Sequence, residues 1–543
     1  MRRLRVPVAA VLLGCLVAFG CTSSGTIASR SLSGVVTDEA GLPVEGALVR
    51  LQGTTVTTRS DAQGRFRLAV RDEPAAGHVT AWKSGFFNGG TQFAGEGEIH
   101  RIGLKPLLRG DDADYRWISA RLPPDGKAPA HAAAPCETCH TRDAFPVVNE
   151  WLASAHARAA TNPFFLSVFN GERSALGLVP QLGYKRDFPK SNGNCATCHV
   201  PALALKNAFD ADPNRAREIE REGVFCDFCH KVADVTVDAT GGRPGVLSMR
   251  FSRPPPGEKL FFGPFDDAFP GPDSFHPLFK ESRYCAGCHN GRFWNVAVYS
   301  EFDEWAASGY ARRGVQCQNC HMKPDGMTHR VALEKEGSIR RDPLTVASHA
   351  FPGIADEKFM RDAVELQVAA VRARERIEVT VTVRNRGAGH HLPTGNPMRN
   401  LVLLVDARDA GGGRLELLAG ERLPVWAGRG AEQNGNYAGL PGKGYAKVLQ
   451  TLLQYPADRR LGASFAPIYP APHWRPVLLE SDNRIPAEGS DTAAFSFASP
   501  LGGGTARVSV RLIYRRVFRS WQEPEAQPLG DLLMAEKLST LAE

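Results

Sequence analysis

The sequence predicts a multi-domain chain: a small β-sandwich near the N-terminus, a central region that is mainly α-helical or irregular, and a second β-sandwich towards the C-terminus. Three observations predict it. Apolar and polar residues alternate over residues 32–105. The alternation then vanishes, and most of the 12 cysteines gather between residues 131 and 360. It returns from residue 364. The chain has 543 residues, enough for several domains of about 100–200 residues each. Hydrophobic residues at 43% and charged residues at 23% exclude wholesale disorder. No apolar run of about 18 residues or more follows the leader, which excludes a multi-span helical membrane protein. A formal charge of +7 is small for this length and does not point to nucleic acid.

The N-terminus reads as an export signal over residues 1–20. Arg2, Arg3 and Arg5 precede an apolar stretch from Val6 to Gly20, too short for a membrane span. Ala18-Phe19-Gly20-Cys21, followed by Thr22-Ser23-Ser24-Gly25, resembles a bacterial lipoprotein cleavage site. That resemblance implies a lipid on Cys21, a short linker over 21–31, and attachment to a membrane in the periplasm or at the outer membrane. A plain secretory signal is the alternative. Either places the mature chain in an oxidising compartment, where thiols need a fate.

Residues 32–105 contain short strands punctuated by turns: Gly34 to Asp38, Gly46 to Leu51, Thr54 to Thr58, Gly64 to Leu68 and His78 to Trp82. The stretch resembles the carboxypeptidase regulatory-like, transthyretin-type β-sandwich. The resemblance implies a seven-stranded module without chemistry of its own. No ligand constellation surrounds His78 and His100, which read as surface histidines.

Residues 106–130 are polar and Pro-rich, a linker opening a central domain over 106–360. Asn214 to Glu222 reads as an exposed helix, and the Gly/Pro-rich stretch from Gly263 to Pro272 as a loop. Few long amphipathic elements occur here, so a protein-only core would be thin. From Val364 the strands return and give a C-terminal β-sandwich over 361–518. Ile377 to Val383 alternates cleanly. A loop-rich insertion is expected between about 425 and 475, and a short terminal helix from Leu529 to Leu541 in a tail over 519–543.

The cysteines carry the chemistry. Beyond Cys15 and Cys21 they form five C-x-x-C-H motifs: Cys136/Cys139/His140, Cys195/Cys198/His199, Cys226/Cys229/His230, Cys285/Cys288/His289 and Cys317/Cys320/His321. Two thiols three positions apart can each add to a vinyl group of one porphyrin, and the next residue then lies under the iron as its proximal ligand. The reading is five covalently attached haem c groups. Zinc is the bland alternative. Structural zinc sites close with four ligands from two facing pairs, which does not explain five units each followed by His. No cysteine is left over for a disulfide framework. The first cysteines of successive motifs are 59, 31, 59 and 32 residues apart, the mark of a repeated two-motif unit. Glu150-Trp151-Leu-Ala-Ser154-Ala-His156-Ala157 echoes Glu304-Trp305-Ala-Ala-Ser308-Gly-Tyr310-Ala311, with Tyr310 in the place of His156.

The segments WLASAHA, GVFCDFCHKV, FFGPFDDAF with His276, CAGCH, EWAASGYA, CQNCHM, SHAFPG and AGHHLPTG resemble the multihaem cytochromes c related to the tetrahaem cytochrome of ammonia oxidisers and, more distantly, the hydroxylamine oxidoreductase and octahaem group. The resemblance covers about residues 131–515. It implies a pentahaem cytochrome c domain at the centre, with close-packed haems that pass electrons and mostly two axial histidines each. It implies His156, His276, His349 and His390 as distal ligands, with His391 as an alternative to His390. His131 and His329 compete for the fifth place, and Met327, Met249 and Met398 are further options. His473, before Trp474, reads as structural.

Three functions follow. The leading one is electron transfer by an exported, lipid-anchored cytochrome between redox proteins of a respiratory or extracellular chain. The second is an oxidoreductase acting on a small nitrogen or sulfur compound (nitrite, hydroxylamine or tetrathionate) at an iron without a sixth protein ligand, with Tyr310 and His329 as possible pocket residues. The third is an assembly role, in which the β-domains stack subunits into an oligomer or filament.

Overall fold

The computed structural model describes residues 30–542 except 71–76, 94–96, 109, 123–132, 142–144, 173–175, 238–242, 453–462 and 501–503. The expected signal peptide, Cys21 and His131 lie outside the described residues.

Seven strands build the N-terminal sandwich: β1 Arg30–Asp38, β2 Leu48–Leu51, β3 Thr57–Arg59, β4 Arg65–Val70, β5 His78–Trp82, β6 Gly89–Gln92 and β7 Ile99–Leu104. A three-stranded sheet in the order β4-β1-β7 faces a four-stranded sheet in the order β3-β2-β5-β6. In β4 the phenylalanine and leucine of Arg65-Phe66-Arg67-Leu68 point inward and the arginines outward, the period of two that a half-buried strand requires. Val36, Val49, Leu68, Val79 and Leu104 fill the space between the sheets. His100 is buried rather than exposed. It stacks on Phe93 at 5.9 Å and bonds the Ser33 carbonyl at 3.2 Å, because β7 runs parallel to β1 inside the sandwich.

The central region has no long helix among its described residues. Its longest, Pro163–Asn170, has eight residues, capped by Asn162 at one end and by Gly171 in the left-handed conformation at the other. Asn214 to Glu222 is not one helix. Pro213–Arg215 and Glu218–Glu222 are separate 3-10 turns, because buried Ala216 holds extended backbone between them. Three short ladders complete the region: β8 Val232–Val235 with β9 Met249–Phe251, β10 Phe261–Gly263 with β11 Asp273–Phe275, and β12 Gly291–Phe293 with β13 Val296–Tyr299. The segment from Phe265 to Phe269 seats the N-terminal sandwich. Arg50 pairs with Asp266 at 2.9 Å, Gln52 donates to the Phe269 carbonyl at 2.7 Å, and Asn88 donates to the Phe265 carbonyl at 3.0 Å.

The C-terminal sandwich contains β14 Val364–Ala373, β15 Arg376–Asn385, β16 Asn400–Asp409, β17 Leu417–Ala419, β18 Gly442–Thr451, β19 Val477–Asp482, β20 Ser490–Ala498, β21 Ala506–Arg515 and β22 Leu532–Leu541. Sheets β14-β15-β20-β17 and β19-β18-β16-β21-β22 enclose one core. The expected terminal helix is strand β22, which pairs with β21 along its length and turns Leu532 and Met534 inward. The expected loop-rich insertion contributes β18, an inner strand of the larger sheet. Leu401 to Val405 is buried on both faces. Leu401, Leu403 and Val405 face the sandwich core, whereas Val402 and Leu404 pack with Val168, Phe169 and Leu182 of the central region. Burial on both faces explains an unbroken apolar run where alternation would mark a surface strand. Among the described residues, no helix is long and apolar enough to cross a membrane.

Candidate cofactor site

Each C-x-x-C-H motif lies on a short helix of one to two turns: Glu137–His140, Ala196–His199, Cys226–Cys229, Arg283–His289 and Cys317–His321. Residues i, i+3 and i+4 share one helical face, so one turn presents two thiols and an imidazole on the same side. All five turns open into a single cavity of about 2580 Å³. An ordinary small-ligand pocket is about 300–1,000 Å³, so this space suits several large groups. The ten thiols and all five motif histidines line it, and none of the ten is in a disulfide.

The motifs are interleaved. Cys136 lies within bonding reach of Cys226, Cys198 of Cys288, and Cys285 of Cys317. The Tyr284 hydroxyl donates to the Cys229 carbonyl at 3.0 Å, tying the third motif to the helix of the fourth. The first motif thus meets the third, the third the fourth, and the fourth both the second and the fifth, with no break.

The histidines are oriented as metal ligands are. The Nδ1–H of His140 donates to the Val331 carbonyl at 2.7 Å, that of His199 to Ala159 at 3.2 Å, that of His230 to Phe262 at 2.5 Å, and that of His321 to Pro352 at 2.8 Å. His289 instead directs Nδ1 at the Glu301 carboxylate, 3.5 Å away. Fixing the proton on Nδ1 leaves Nε2 as the lone-pair nitrogen.

Four further histidines line the cavity: His156, His349, His390 and His473. His156 faces His289 with ring centroids 6.4 Å apart, and His390 faces His321 at the same 6.4 Å. Two imidazoles bonded to opposite sides of one metal, at about 2.0–2.1 Å each, have centroids roughly 6.3 Å apart. His349 lies near both His140 and His230, and His473 near His199. Burial first, and these neighbours second, push His156, His349 and His473 down to about 4. They are neutral at pH 7, the protonation state that coordinates iron.

Other sequence candidates are placed elsewhere. His276 caps the turn Pro277–Lys280, its Nδ1 accepting from the Leu278 N–H at 3.3 Å, and it does not line the cavity. His329 uses both nitrogens, Nδ1 towards the Arg341 carbonyl and Nε2 towards the Arg340 guanidinium, each at 3.0 Å. His391 sits 3.3 Å from the Glu304 carboxylate. Met327 is 75% exposed, whereas Met249 and Met398 reach the cavity wall as packing groups. Tyr310 lines the cavity under the Arg313 guanidinium.

The internal repeat has a structural basis. The Trp151 indole donates to the Val224 carbonyl at 2.8 Å, and the Trp305 indole to Val315 at 2.7 Å. Each valine lies two residues before the first cysteine of a motif. The matching segments Gly223-Val224-Phe225-Cys226 and Gly314-Val315-Gln316-Cys317 are the sequence signal for this contact.

Among the described residues, no three His, Cys, Asp or Glu side chains converge to hold a metal ion unaided, as a structural zinc site requires. The donor set fits haem c. Comparison with known proteins agrees. Residues 135–231 match the family of cytochrome c554 and c-prime. Residues 31–91 match the carboxypeptidase regulatory-like domain. A penta-heme cytochrome c552 from Thermochromatium tepidum is similar in fold, with 20% identity, a TM-score of 0.50, and coverage of 75% of this chain and 97% of that one. The Fcho1 Mu homology domain of Danio rerio, at 11% identity, matches over 34% of this chain and 44% of its own, and its TM-score of 0.12 carries no argument. No curated protein matches the chain. The central region therefore has a donor set that fits haem c, and residues 135–231 within it resemble the family of cytochrome c554 and c-prime.

Proposed function

We propose that this protein carries electrons through five covalently attached haem c groups. The carrying observation is the convergence of five short C-x-x-C-H helices on one cavity, each with a thiol beside that of a neighbouring motif. The ten thiols would hold the macrocycles, and His140, His199, His230, His289 and His321 would be the proximal ligands. His156 and His390 would complete the irons of His289 and His321. When bound, the haems supply the one-electron chemistry, and the chain sets spacing, axial ligands and burial. Export, lipid on Cys21, attachment in the periplasm or at the outer membrane, and redox-protein partners in a respiratory or extracellular chain complete the reading. The test is intact mass and reductive titration of the exported protein. Five added macrocycles and reversible, multi-step reduction are expected. A colourless product of unmodified mass would overturn the proposal.

One observation favours the oxidoreductase reading alongside it. Among the described residues, His349 is the one further cavity histidine within electrostatic reach of His140 and His230. An iron left without a sixth protein ligand binds small molecules. A high-spin ferric component that shifts on adding nitrite or hydroxylamine is the expected sign, and a wholly low-spin, ligand-inert spectrum sinks this reading.

A further inference from the structure

The segment around His473 belongs to the C-terminal half yet is pinned to the cytochrome region. The Trp521 indole donates to the Pro470 carbonyl at 2.8 Å. The Trp474 indole donates to the Asp187 carboxylate at 2.7 Å, and Arg475 grips both oxygens of that carboxylate at 2.8 Å. Asp187 is 1% exposed and closes the short helix Tyr184–Asp187, eight residues before Cys195. These bonds fix the backbone on both sides of His473 and hold its ring on the cavity wall, edge-on to Phe293 at 6.0 Å and to Tyr299 at 5.5 Å.

The polar atoms of that ring are unequal. Nε2 lies 3.0 Å from the Tyr299 hydroxyl. Nδ1 is buried and has no hydrogen-bond partner. A buried polar atom left unpaired needs an explanation. The second motif supplies one. His473 is within electrostatic reach of His199, and Tyr299 of both Cys195 and Cys198. His199 is itself oriented by the Ala159 carbonyl and by face-to-face stacking on Phe165 at 3.8 Å. The other cavity histidines stand elsewhere, His156 with His289, His390 with His321, and His349 with His140 and His230.

We propose that His473 is the sixth ligand of the iron held by His199, binding through Nδ1 while its Nε2–H donates to the Tyr299 hydroxyl. The proposal rests on the five-haem reading. Tyr299 does for His473 what backbone carbonyls do for the proximal histidines: it fixes the tautomer and the ring angle. The C-terminal sandwich is then part of the haem site, because Asp187 clamps the ligand-bearing segment onto the second motif.

The test uses the intact holoprotein. Intact mass first counts haems in wild type and in His473→Ala, so failure of the haem reading appears separately as missing macrocycles. With five haems present in both, electron paramagnetic resonance and near-infrared magnetic circular dichroism count low-spin and high-spin irons. One haem in five is expected to turn high-spin in His473→Ala and to return to low spin with added imidazole. An unchanged low-spin count overturns the proposal. If His473→Ala does not fold, His473→Met keeps the volume and offers sulfur. A sulfur-to-iron charge-transfer band with a raised potential for one haem supports the assignment, and an unaltered spectrum and titration overturn it.

Discussion

Glu150 accepts the backbone N–H of His349 at 2.7 Å across a sequence separation of 199 residues. In the second repeat Glu304 accepts the N–H of His391, beside His390, at 3.0 Å. The repeated Glu-Trp pair therefore acts twice over. Its tryptophan fixes the carbonyl ahead of a downstream motif, and its glutamate fixes backbone at a distant histidine loop.

Removing that acceptor has a specific consequence. Glu150→Ala leaves a half-buried N–H without its charged partner, a loss of about 1 kcal/mol, and frees the His349 loop. A lower melting temperature and a gain of high-spin signal from one haem are expected. Glu150→Gln keeps an oxygen at the same place and should restore the low-spin count. A Tm change with no spin change would leave Glu150 a stabilising residue only.

What the sequence disclosed divides along the range of the interaction. The five motifs are legible because covalent haem attachment fixes spacing within five consecutive residues. Strand β15 is legible because Ile377, Val379, Val381 and Val383 alternate with polar residues on a half-buried sheet. Strand β22 is not, since Leu532 and Met534 turn inward only through pairing with β21. His473 is not, since its place depends on Asp187, 286 residues earlier. His276 occupies the position that the family resemblance implies for a ligand, but the following proline-initiated turn engages its Nδ1 as a cap. The repeat is legible in the motif spacing and in the Glu-Trp segments, and the shared Gly-Val before Cys226 and before Cys317 is a further trace of it.

The seat of the N-terminal sandwich depends on one carboxylate. Asp267 is 2% exposed, pairs with Arg341 at 2.8 Å, and accepts the Gly53 N–H at 2.8 Å. Breaking a buried pair from one side costs about 3–5 kcal/mol because the remaining charge loses its partner. Asp267→Ala should loosen this interface. Faster hydrogen exchange around Gln52 and Gly53 is expected, with haem content unchanged. Equal exchange in variant and wild type would show that the remaining contacts, Arg50 to Asp266 and Asn88 to the Phe265 carbonyl, suffice.

Lys447 predicts a pH dependence. Lys447 is 4% exposed, and its ammonium donates to the Ala297 carbonyl at 2.6 Å and to Ser300 at 2.9 Å. Burial first, then nearby Arg484, pushes it down to about 8 from 10.5, against the pull of Glu304, Asp482 and Glu301. The unfolded chain holds this proton more tightly than the folded one. Between pH 8 and 10.5 stability attributable to Lys447 therefore rises with pH, and below pH 8 the cost of burying the charge is fully present. The window corresponds to roughly 3 kcal/mol at one unit per 1.36 kcal/mol. Denaturant unfolding of wild type and Lys447→Met at pH 7, 9 and 10.5 measures it: the wild type should gain on the variant as pH rises. Parallel curves would place the titration outside this window.

Among the five motif histidines, His289 stands apart because its Nδ1 faces a carboxylate instead of a carbonyl. Burial opposes protonation of His289, but the Glu301 hydrogen bond and charge outweigh it and raise its proton affinity, whereas burial leaves His199, His230 and His321 lowered. A carboxylate behind the imidazole makes it a stronger electron donor to iron and favours the ferric state. The fourth motif also touches the second and fifth motifs through its cysteines, so on the proposed five-haem reading the iron held by His289 would stand where paths meet. Glu301→Gln removes the charge and keeps the size. One midpoint potential should move positive in a spectroelectrochemical titration, with the low-spin count unchanged from wild type and the other potentials near their wild-type values. Because the shift reports charge rather than packing, Glu301→Asp, which keeps the carboxylate at a shorter reach, should move that potential less. A titration unaltered by Glu301→Gln would mean that the 3.5 Å contact transmits no charge to the metal.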